Sequence, residues 1–505
     1  MLGGSYEDGV ARSSNITGRG FTNSTLKEEV VSSAEKVLTQ TGRSQEKLAS
    51  GFTRLNYTLL DKYLFTFTAR YDGSSKFAEG HRWGFFPSGA FSWKLDQEPW
   101  IKNLDFFNQL KFRASYGVSG NQGISPYQTF EVFGMDYFWN NGKEQIVNGI
   151  GYQSGREGLG GRFVTYAGMA NHELTWEKTH QFNVGIDLSI FDERLSLTVD
   201  YYFKRTTDLL RQQYLAPSTG FDTVWVNDGE IHNQGFEAAL TGHIISNSNW
   251  SLTATGIFSL NRNKVISIGT AENSGCTTDA NGVTFTQHGG SIYNDAFVNV
   301  LALGYPINSF YGYMVNGIIQ TPKGDGTSPN TMPGEFNYVG LNADGTLDPS
   351  KRMILGDPNP DFTASLNLEL KHKSGFDMSM MMYAVYGNDI FSLRKLSSPA
   401  LQEGRWTREN PTHARPSLRY NRQYHASSWS IEDGSYIRLS NVTVGYSLPP
   451  QTVKWVKGLR VYVSASNPFV ISKVSEYDPE VGENGIGNVA YPRVCTITTG
   501  VEFKF

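Results

Sequence analysis

The sequence predicts an all-β fold, and more specifically a transmembrane antiparallel β-barrel. Three observations predict it. Segments of about ten residues alternate between apolar and polar positions. The links between these segments alternate between short and long, which is typical of outer-membrane barrels. The last segment, 494–505, ends in Phe505 and is largely apolar at every second position. A soluble β-sandwich shares only the first of these features.

The composition of the 505 residues excludes several other classes of protein. Aromatic residues make up 13% of the chain, which is too many for a disordered protein. The formal net charge is −4, so we expect no nucleic-acid partner, because such partners require a basic surface. Cys276 and Cys495 are the two cysteines, and their spacing indicates neither a metal site nor a disulfide framework.

The alternation is clearest at 195–204, where Leu195, Leu197, Val199 and every second residue beyond them share one face. We expect this face to contact lipid, and the face that begins with Ser196 to line the lumen. The same pattern predicts fifteen strands, near 48–59, 63–71, 84–95, 109–119, 178–190, 195–206, 232–245, 249–262, 291–303, 308–318, 360–372, 375–386, 435–448, 459–468 and 493–505. Single-chain bacterial barrels have an even number of strands, so an odd count indicates an incomplete wall.

Several segments resemble the SusC/RagA family of TonB-dependent outer-membrane transporters. The loop segment 69–95 reads ARYDGSSKFAEGHRWGFFPSGAFSWKL, and 227–240 reads NDGEIHNQGFEAAL. Further along the chain, LGDPNPDF (355–362) and YDPEVG (477–482) follow in the family's order. The likeness covers the chain from about residue 48 to its end.

The resemblance implies a specific domain organisation. Family members are similar to one another in having 22 strands around an N-terminal plug. The predicted strands would then be the C-terminal ~15 strands of that barrel, in a wall that is open because it is truncated. On this interpretation residues 1–47 are an extracellular loop remnant, and residues 48–505 are a partial TonB-dependent receptor β-barrel. The plug domain and the signal peptide would be absent.

The resemblance also implies a function, which is TonB-dependent active import of large nutrients, either oligosaccharides or oligopeptides. It implies an integral location in the bacterial outer membrane. The implied partners are a SusD-like surface lipoprotein, TonB (through the missing N-terminal part), and outer-membrane lipid and lipopolysaccharide. We expect no enzyme activity and no cofactor. A passive outer-membrane porin and a soluble β-rich carbohydrate-binding protein are the alternatives.

The loop Gly340–Arg352 resembles the calcium-binding loop that many relatives carry at this point. Asn342, Asp344 and Asp348 supply oxygen ligands of the kind that calcium prefers. However, Gly340 and Lys351 occupy the first and twelfth positions, where such a loop needs carboxylates. We therefore expect a degenerate loop that holds no metal.

Aromatic residues in or beside the predicted long loops are candidates for contact with substrate, because aromatic rings pack against the apolar faces of sugars and peptide side chains. The candidates are Tyr137, Trp139, Trp225, Trp406 and Trp429. The alternative is that these residues form interfacial girdles or pack within the loops. The histidines and carboxylates show no catalytic spacing, so we predict no catalytic residues.

Overall fold

The structure, a computed structural model, describes most of the chain. The described residues are 1–21, 31–130, 134–140, 143–149, 169–215, 221, 223–269, 276–289, 297–324, 328–397, 403–419, 422, 424–449, 456–487 and 493–504. None of the described helices is long and apolar enough to cross a membrane.

Strands dominate the described residues. In chain order they are β1 (Leu2–Phe21), β2 (Ala34–Leu59), β3 (Tyr63–Ser74), β4 (Trp83–Lys94), β5 (Phe107–Asn121), β6 (Gly134–Asn140), β7 (Lys143–Gly149), β8 (Glu177–Ile190), β9 (Leu195–Thr207), β10 (Leu210–Tyr214), β11 (Thr223–Asn227), β12 (Glu230–Ser246), β13 (Trp250–Ser267), β14 (Thr277–Thr278), β15 (Thr284–Gly289), β16 (Asn299–Ala302), β17 (Ser309–Tyr313), β18 (Val315–Ile318), β19 (Phe336–Tyr338), β20 (Arg352–Gly356), β21 (Phe362–His372), β22 (Phe376–Tyr386), β23 (Asp389–Phe391), β24 (Ile431–Asp433), β25 (Tyr436–Ser447), β26 (Gly458–Ser472) and β27 (Thr496–Lys504). The short helices are α1 (Pro99–Lys102) and α2 (Leu393–Ser397), with 3-10 turns at Leu95–Gln97, Pro329–Thr331, Pro349–Lys351 and Ser428–Ser430.

One antiparallel sheet of fourteen strands forms a wall. Its strand order is β1-β2-β3-β4-β5-β8-β9-β12-β13-β21-β22-β25-β26-β27. Because successive wall strands are antiparallel neighbours, the connections alternate between the two ends of the wall. The connections after β3, β5, β9, β13, β22 and β26 are long and lie at one end, which we call the mouth. The shorter connections, such as 60–62 and 191–194, lie at the other end.

The predicted strands from 48–59 to 249–262 and from 360–372 to 493–505 belong to this wall, but the other two do not. The segments predicted at 291–303 and 308–318 contribute β16 and β17 to a separate five-stranded sheet at the mouth. Every residue of β16 and β17 is buried, so these strands have no solvent- or lipid-facing side. The odd count of fifteen wall strands is therefore wrong, and the described wall has fourteen.

The first 47 residues also differ from the predicted loop remnant. β1 pairs with β2 from Leu2↔Thr53 to Phe21↔Ala34, whereas β3 begins to pair with β2 only at Leu48. The part of this hairpin before Leu48 is thus a two-stranded ribbon that continues beyond the wall at the mouth. The β1 residues are mostly polar and exposed, and the ribbon is also held at its base by the Lys76–Glu46 ion pair at 2.8 Å and a hydrogen bond from the Gln45 backbone N–H to the Tyr127 hydroxyl at 2.9 Å.

The outer face of the wall is apolar, with aromatic residues near both ends. Tyr71 stacks on Trp83 at the mouth end, with ring centroids 4.9 Å apart. On β22, Phe376 and Tyr386 mark opposite ends of the same outer face. Ten residue steps of about 3.4 Å at a tilt of about 40° span roughly 26 Å, which matches the roughly 25 Å apolar band of outer-membrane barrels.

The inner face of the wall is polar, and ion pairs cross its strands. On β5, Arg113 donates to Asp187 on β8 (2.9 and 3.0 Å) and to Asp200 on β9 (2.9 and 3.0 Å). Gly185 lies in register between Arg113 and Asp200. A Cβ at Gly185 would come within 2.3 Å of an Asp200 carboxylate oxygen, so only glycine lets the two charged groups meet across the middle strand.

The same arrangement recurs further along the wall. Arg460 on β26 donates to both carboxylate oxygens of Asp377 on β22, at 2.6 and 3.0 Å. The intervening strand β25 carries Gly445 at the crossing point. A Cβ there would lie 2.7 Å from the guanidinium group of Arg460. The inner face therefore brings opposite charges together, and near Arg113, which contacts two carboxylates, Lys111 supplies a second cation 3.5 Å from Asp187.

The long connections fold into two assemblies with their own apolar cores. The first loop assembly, formed by the connections after β3, β5 and β9, packs around Phe77, Ile124, Leu174 and Trp176, together with Phe86 of the wall. The second loop assembly, formed by the connections after β13, β22 and β26, contains the five-stranded sheet and several apolar clusters. Phe310 and Phe391 lie at the centre of one of these clusters and are fully buried.

Candidate functional site

An aromatic cluster lies within the second loop assembly. Its buried members are Tyr313 on β17, Ile318 on β18, and Phe336 and Tyr338 on β19. β18 and β19 pair with an irregular register, Val315↔Tyr338 and Ile318↔Phe336. At this bulge Gly317 adopts φ +72°, a conformation that glycine reaches without strain. At this point Ile318 of β18 packs with Phe336 and Tyr338 of β19.

Two of the tryptophans predicted to contact substrate pack against this aromatic cluster. The Trp406 indole N–H donates to the side-chain oxygen of Gln320 at 2.9 Å. The Trp429 indole N–H donates to the carbonyl of Ala414 at 3.1 Å, and its ring lies 4.9 Å from that of Phe336. Both tryptophans are half-buried, so each presents only part of its ring to solvent. The structure thus brings Trp406 and Trp429 together.

The other three predicted residues lie elsewhere. Trp225 on β11 packs against the core of the first loop assembly, and its carbonyl accepts a 2.7 Å hydrogen bond from Asn171. Tyr137 and Trp139 lie on β6, which pairs with β7, and their side chains fall outside the described residues. The five aromatic residues therefore do not converge on one site. Contact of any of them with substrate remains a prediction.

The turn that resembles a calcium loop lies beside the aromatic cluster, with Leu341 and Leu347 packed against it. Asp344 accepts hydrogen bonds from the backbone N–H and the hydroxyl of Thr346, and these bonds lower the pKa of its carboxyl group. Asp348 caps the 3-10 turn by accepting from the backbone N–H of Ser350, and hydrogen bonding from this serine likewise lowers its pKa. Both carboxylates are thus engaged within the turn itself.

The remaining positions of the turn are also poorly suited to a cation. The Asn342 side-chain N–H donates to the Thr346 hydroxyl at 2.9 Å. Lys351 lies over Gly340, where a Cβ would approach its side chain to 2.7 Å. Within the described part of the chain, no group of three or more His, Cys, Asp or Glu side chains is placed to hold a metal ion. The absence of calcium from this turn remains a prediction.

A buried ion pair holds the segment after Trp406 against β19. The guanidinium of Arg422 donates to both carboxylate oxygens of Glu335, at 2.9 and 3.0 Å, and to the carbonyl of Ser417 at 2.7 Å. The side chains of Arg422 and Glu335 are only 3% and 8% exposed. Burial alone would lower the pKa of Arg422, but the Glu335 carboxylate outweighs this and raises it. The sequence gives no signal for this pair, because its partners are 87 positions apart.

The aromatic cluster forms one wall of a cleft of about 420 Å³, which we call the aromatic cleft. It is lined by aromatic and polar side chains, including Tyr313, Phe336, Tyr338, His425, Ser328, Asn330, Glu335, Asp344 and Thr346. A second cleft of about 430 Å³, the charged cleft, is lined by residues that include Lys395, Arg415, Trp429 and Glu432. Both volumes lie within the roughly 300–1,000 Å³ range of small-molecule sites.

Comparison with known proteins identifies relatives along nearly the whole chain. The family model for the TonB-dependent receptor-like β-barrel matches residues 2–467. TonB-dependent receptor P3 of Formosa agariphila is 33% identical over 488 residues, covering 92% of this chain and 46% of the relative. TonB-dependent receptor SusC of Bacteroides thetaiotaomicron is 30% identical, covering 92% of this chain and 44% of the relative. The chain therefore spans about half the length of the curated relatives it matches.

The fold has a solved counterpart. The structure of the RagAB peptide importer in its closed-closed state matches with a TM-score of 0.77 and 21% sequence identity, over 100% of this chain and 53% of the matched one. The open-open state of the same importer matches with a TM-score of 0.76. At this level of identity the match concerns the fold, and it agrees with the antiparallel wall and folded mouth described above.

Proposed function

Since the chain belongs to the TonB-dependent receptor-like β-barrel family, we propose that it forms part of an active importer of large nutrients, oligosaccharides or oligopeptides. The chain is an integral protein of the bacterial outer membrane, as the sequence predicted, and it is similar to SusC and to the RagAB importer. This location rules out the alternative of a soluble β-rich carbohydrate-binding protein. The substrate would pass along the polar inner face of the wall.

The observation that supports the proposal is the difference in surface chemistry between the wall and the mouth. The outer face is apolar enough to contact lipid, while the inner face holds paired charges such as Arg113 with Asp200. Such an inner face suits a hydrated passage. At the mouth, two folded loop assemblies with buried cores provide surfaces that can bind a large solute before it enters.

Partners follow from the same proposal. A SusD-like surface lipoprotein would cover the mouth, and TonB would deliver energy from the inner membrane. The relatives named TonB-dependent receptor and SusC support both expectations. Lipid would contact the outer aromatic residues such as Trp83, and lipopolysaccharide would contact the exposed mouth. We propose binding and transport without a catalytic step or a cofactor.

An energy-dependence experiment separates this importer from a passive porin. Cells that express the intact receptor would be given fluorescently labelled oligosaccharides and oligopeptides, with and without a protonophore that collapses the inner-membrane proton gradient. An importer should lose uptake when the gradient collapses, while its surface binding persists. Uptake that continues unchanged in the presence of the protonophore, or in a strain without TonB, would instead show a porin.

A further inference from the structure

We propose that the aromatic cleft is a binding subsite for a neutral oligosaccharide. The inference rests on the proposed function, because it names which of the two nutrient classes the mouth binds. It is carried by the chemistry of the side chains that line the cleft and by the rigidity with which they are held.

The aromatic rings of the cleft are fixed before any ligand arrives. The rings of Tyr313, Tyr338 and His425 meet edge to face in all three pairings, with centroids 5.9 to 6.1 Å apart. Phe336 adds a fourth ring, 5.5 Å from Tyr338. Rings that are already ordered lose little conformational freedom on binding, which favours affinity. Tyr313, Phe336 and Tyr338 are only 3–8% exposed, so the edges of these rings and the half-buried His425 are the apolar surface against which the C–H groups of a sugar can pack.

The polar groups of the cleft match hydroxyl groups better than charged ones. Ser328 carries a hydroxyl and Asn330 an amide, and both groups can donate and accept hydrogen bonds, whereas the Thr346 hydroxyl already donates to Asp344 and accepts from Asn342. Sugar hydroxyls likewise donate and accept. Thr346 is exposed at the rim of the cleft, whereas Asn330 is half-buried and donates to the carbonyl of Gly345 at 3.1 Å.

The charge of the cleft argues against an anionic ligand, because the Asp344 carboxylate lines it and, among the described residues, accepts hydrogen bonds only from Thr346. Glu335 is neutralised by Arg422 at 2.9 Å, with Arg419 also 3.5 Å from its carboxylate. No lysine or arginine is found among the described residues that line the cleft, so nothing there matches a peptide carboxylate or an acidic sugar. The charged cleft differs in this respect, since Lys395 and Arg415 line it.

The test uses the intact receptor, purified in detergent, on an array of defined probes. The array carries neutral gluco-, manno- and xylo-oligosaccharides, an anionic oligogalacturonate, and a mixed peptide library. Neutral oligosaccharides should bind. Thr346→Trp places a large side chain in the cleft from an exposed turn position and should weaken this binding about tenfold or more.

Ala343→Trp is the matched control, because Ala343 is exposed on the same turn but does not line the cleft. It should change the affinity less than about twofold. Both variants must show the heat-modifiable gel mobility of a folded outer-membrane barrel.

Three results would overturn the inference: binding of peptides or oligogalacturonate only, no binding of any neutral oligosaccharide, or full binding by Thr346→Trp. These outcomes are separate from the energy-dependence experiment. Uptake that requires the proton gradient, together with unchanged binding by Thr346→Trp, would leave the importer intact and remove only the subsite.

Discussion

The wall and the second loop assembly place their apolar and polar side chains in opposite arrangements. In the wall, apolar side chains such as Val199 point outward, and charged groups such as Arg113 and Asp200 point inward. In the second loop assembly, Phe310 and Phe391 are fully buried, while polar side chains such as Asn342 lie at the surface. The medium around each region accounts for the difference, because lipid surrounds the wall while water surrounds the mouth.

Charged groups show the same contrast. The side chain of Arg113 on the inner wall is 27% exposed, so its ion pairs remain in contact with water. Arg422 in the loop assembly is 3% exposed, and its ion pair with Glu335 has little access to water. Exposed pairs are worth little, whereas breaking a buried pair leaves an uncompensated charge. The loop assembly therefore depends far more on its ion pair than the wall depends on any one of its own.

The largest expected effect comes from breaking the buried pair. Arg422→Ala leaves the buried Glu335 carboxylate with only Arg419, 3.5 Å away, as a cation, and we expect a loss of up to about 3–5 kcal/mol in the stability of the loop assembly. Hydrogen exchange of β18 and β19 in the intact receptor measures this loss. The control Arg408→Ala removes an exposed arginine from the same connection and should have almost no effect. Equal exchange in both variants would show that the pair does not hold the assembly.

The next effect tests which face of the wall meets lipid. Val199→Arg places a charge on the outer face and should cost roughly 2–4 kcal/mol near the midplane, impairing assembly in the membrane. Thr198→Arg places the same charge on the inner face, where Thr198 donates to Asp187 at 3.3 Å. Folded protein in the outer membrane, counted by heat-modifiable gel mobility, should fall for the first variant only. Similar losses for both would contradict the two-faced wall.

A smaller effect on stability is expected from two aspartates that lie opposite each other in the mouth. Asp389 on β23 pairs with Asp433 on β24. Burial, reinforced by the nearby carboxylates of Asp357, Asp433 and Asp361, raises the pKa of Asp389. Hydrogen bonds from the side chain and backbone of Ser435 lower the pKa of Asp433.

The two groups should therefore act on stability in opposite directions. The contribution of Asp389 is present below its ordinary pKa of 3.8 and is lost as the pH rises through its raised value. The contribution of Asp433 is present above 3.8 and is lost as the pH falls through its lowered value. At neutral pH, Asp389→Asn should slow hydrogen exchange of β23, and Asp433→Asn should accelerate it. Changes of the same sign would contradict these assignments.

The smallest expected effect concerns the turn that resembles a calcium loop. Because Asp344 and Asp348 already accept hydrogen bonds within the turn, added calcium should release no measurable heat there. Calorimetry of the intact receptor, with Lys351→Asp as the comparison, provides the measurement. Sub-millimolar binding that disappears in Asp344→Asn would show that the unmodified turn holds calcium after all.

The wall could be predicted from the sequence because its two faces meet different media. Apolar and polar residues alternate along 195–204 and 360–372 because successive side chains point to opposite faces of the wall. The ribbon formed by β1 and the start of β2 was missed for the converse reason, since nearly every β1 residue is exposed and apolar residues such as Ile16 and Phe21 lie singly among polar ones. β16 and β17 were assigned to the wall because a strand that is buried on both faces also looks apolar.

The mouth could be predicted only in fragments. Trp406 and Trp429 were selected from the sequence as candidates because they are aromatic residues in predicted loops, but their packing against the same aromatic cluster depends on contacts between distant segments. Glu335 and Arg422 gave no local signal, because neither lies in a recognisable pattern and only the folded loops bring them together. The aromatic cleft arises from the same long-range contacts.

The ion pairs that cross Gly185 and Gly445 limit the distance over which these charged side chains act on a solute. A guanidinium held within 3.0 Å of its carboxylate acts on a distant solute as a dipole, whose potential fades faster than that of a single charge. Salt shortens the reach further, to about 8 Å under physiological conditions. The electric field of these two crossings is therefore weak at larger distances. At these two crossings the wall would contribute little electrostatic attraction or repulsion to a solute more than about 8 Å away.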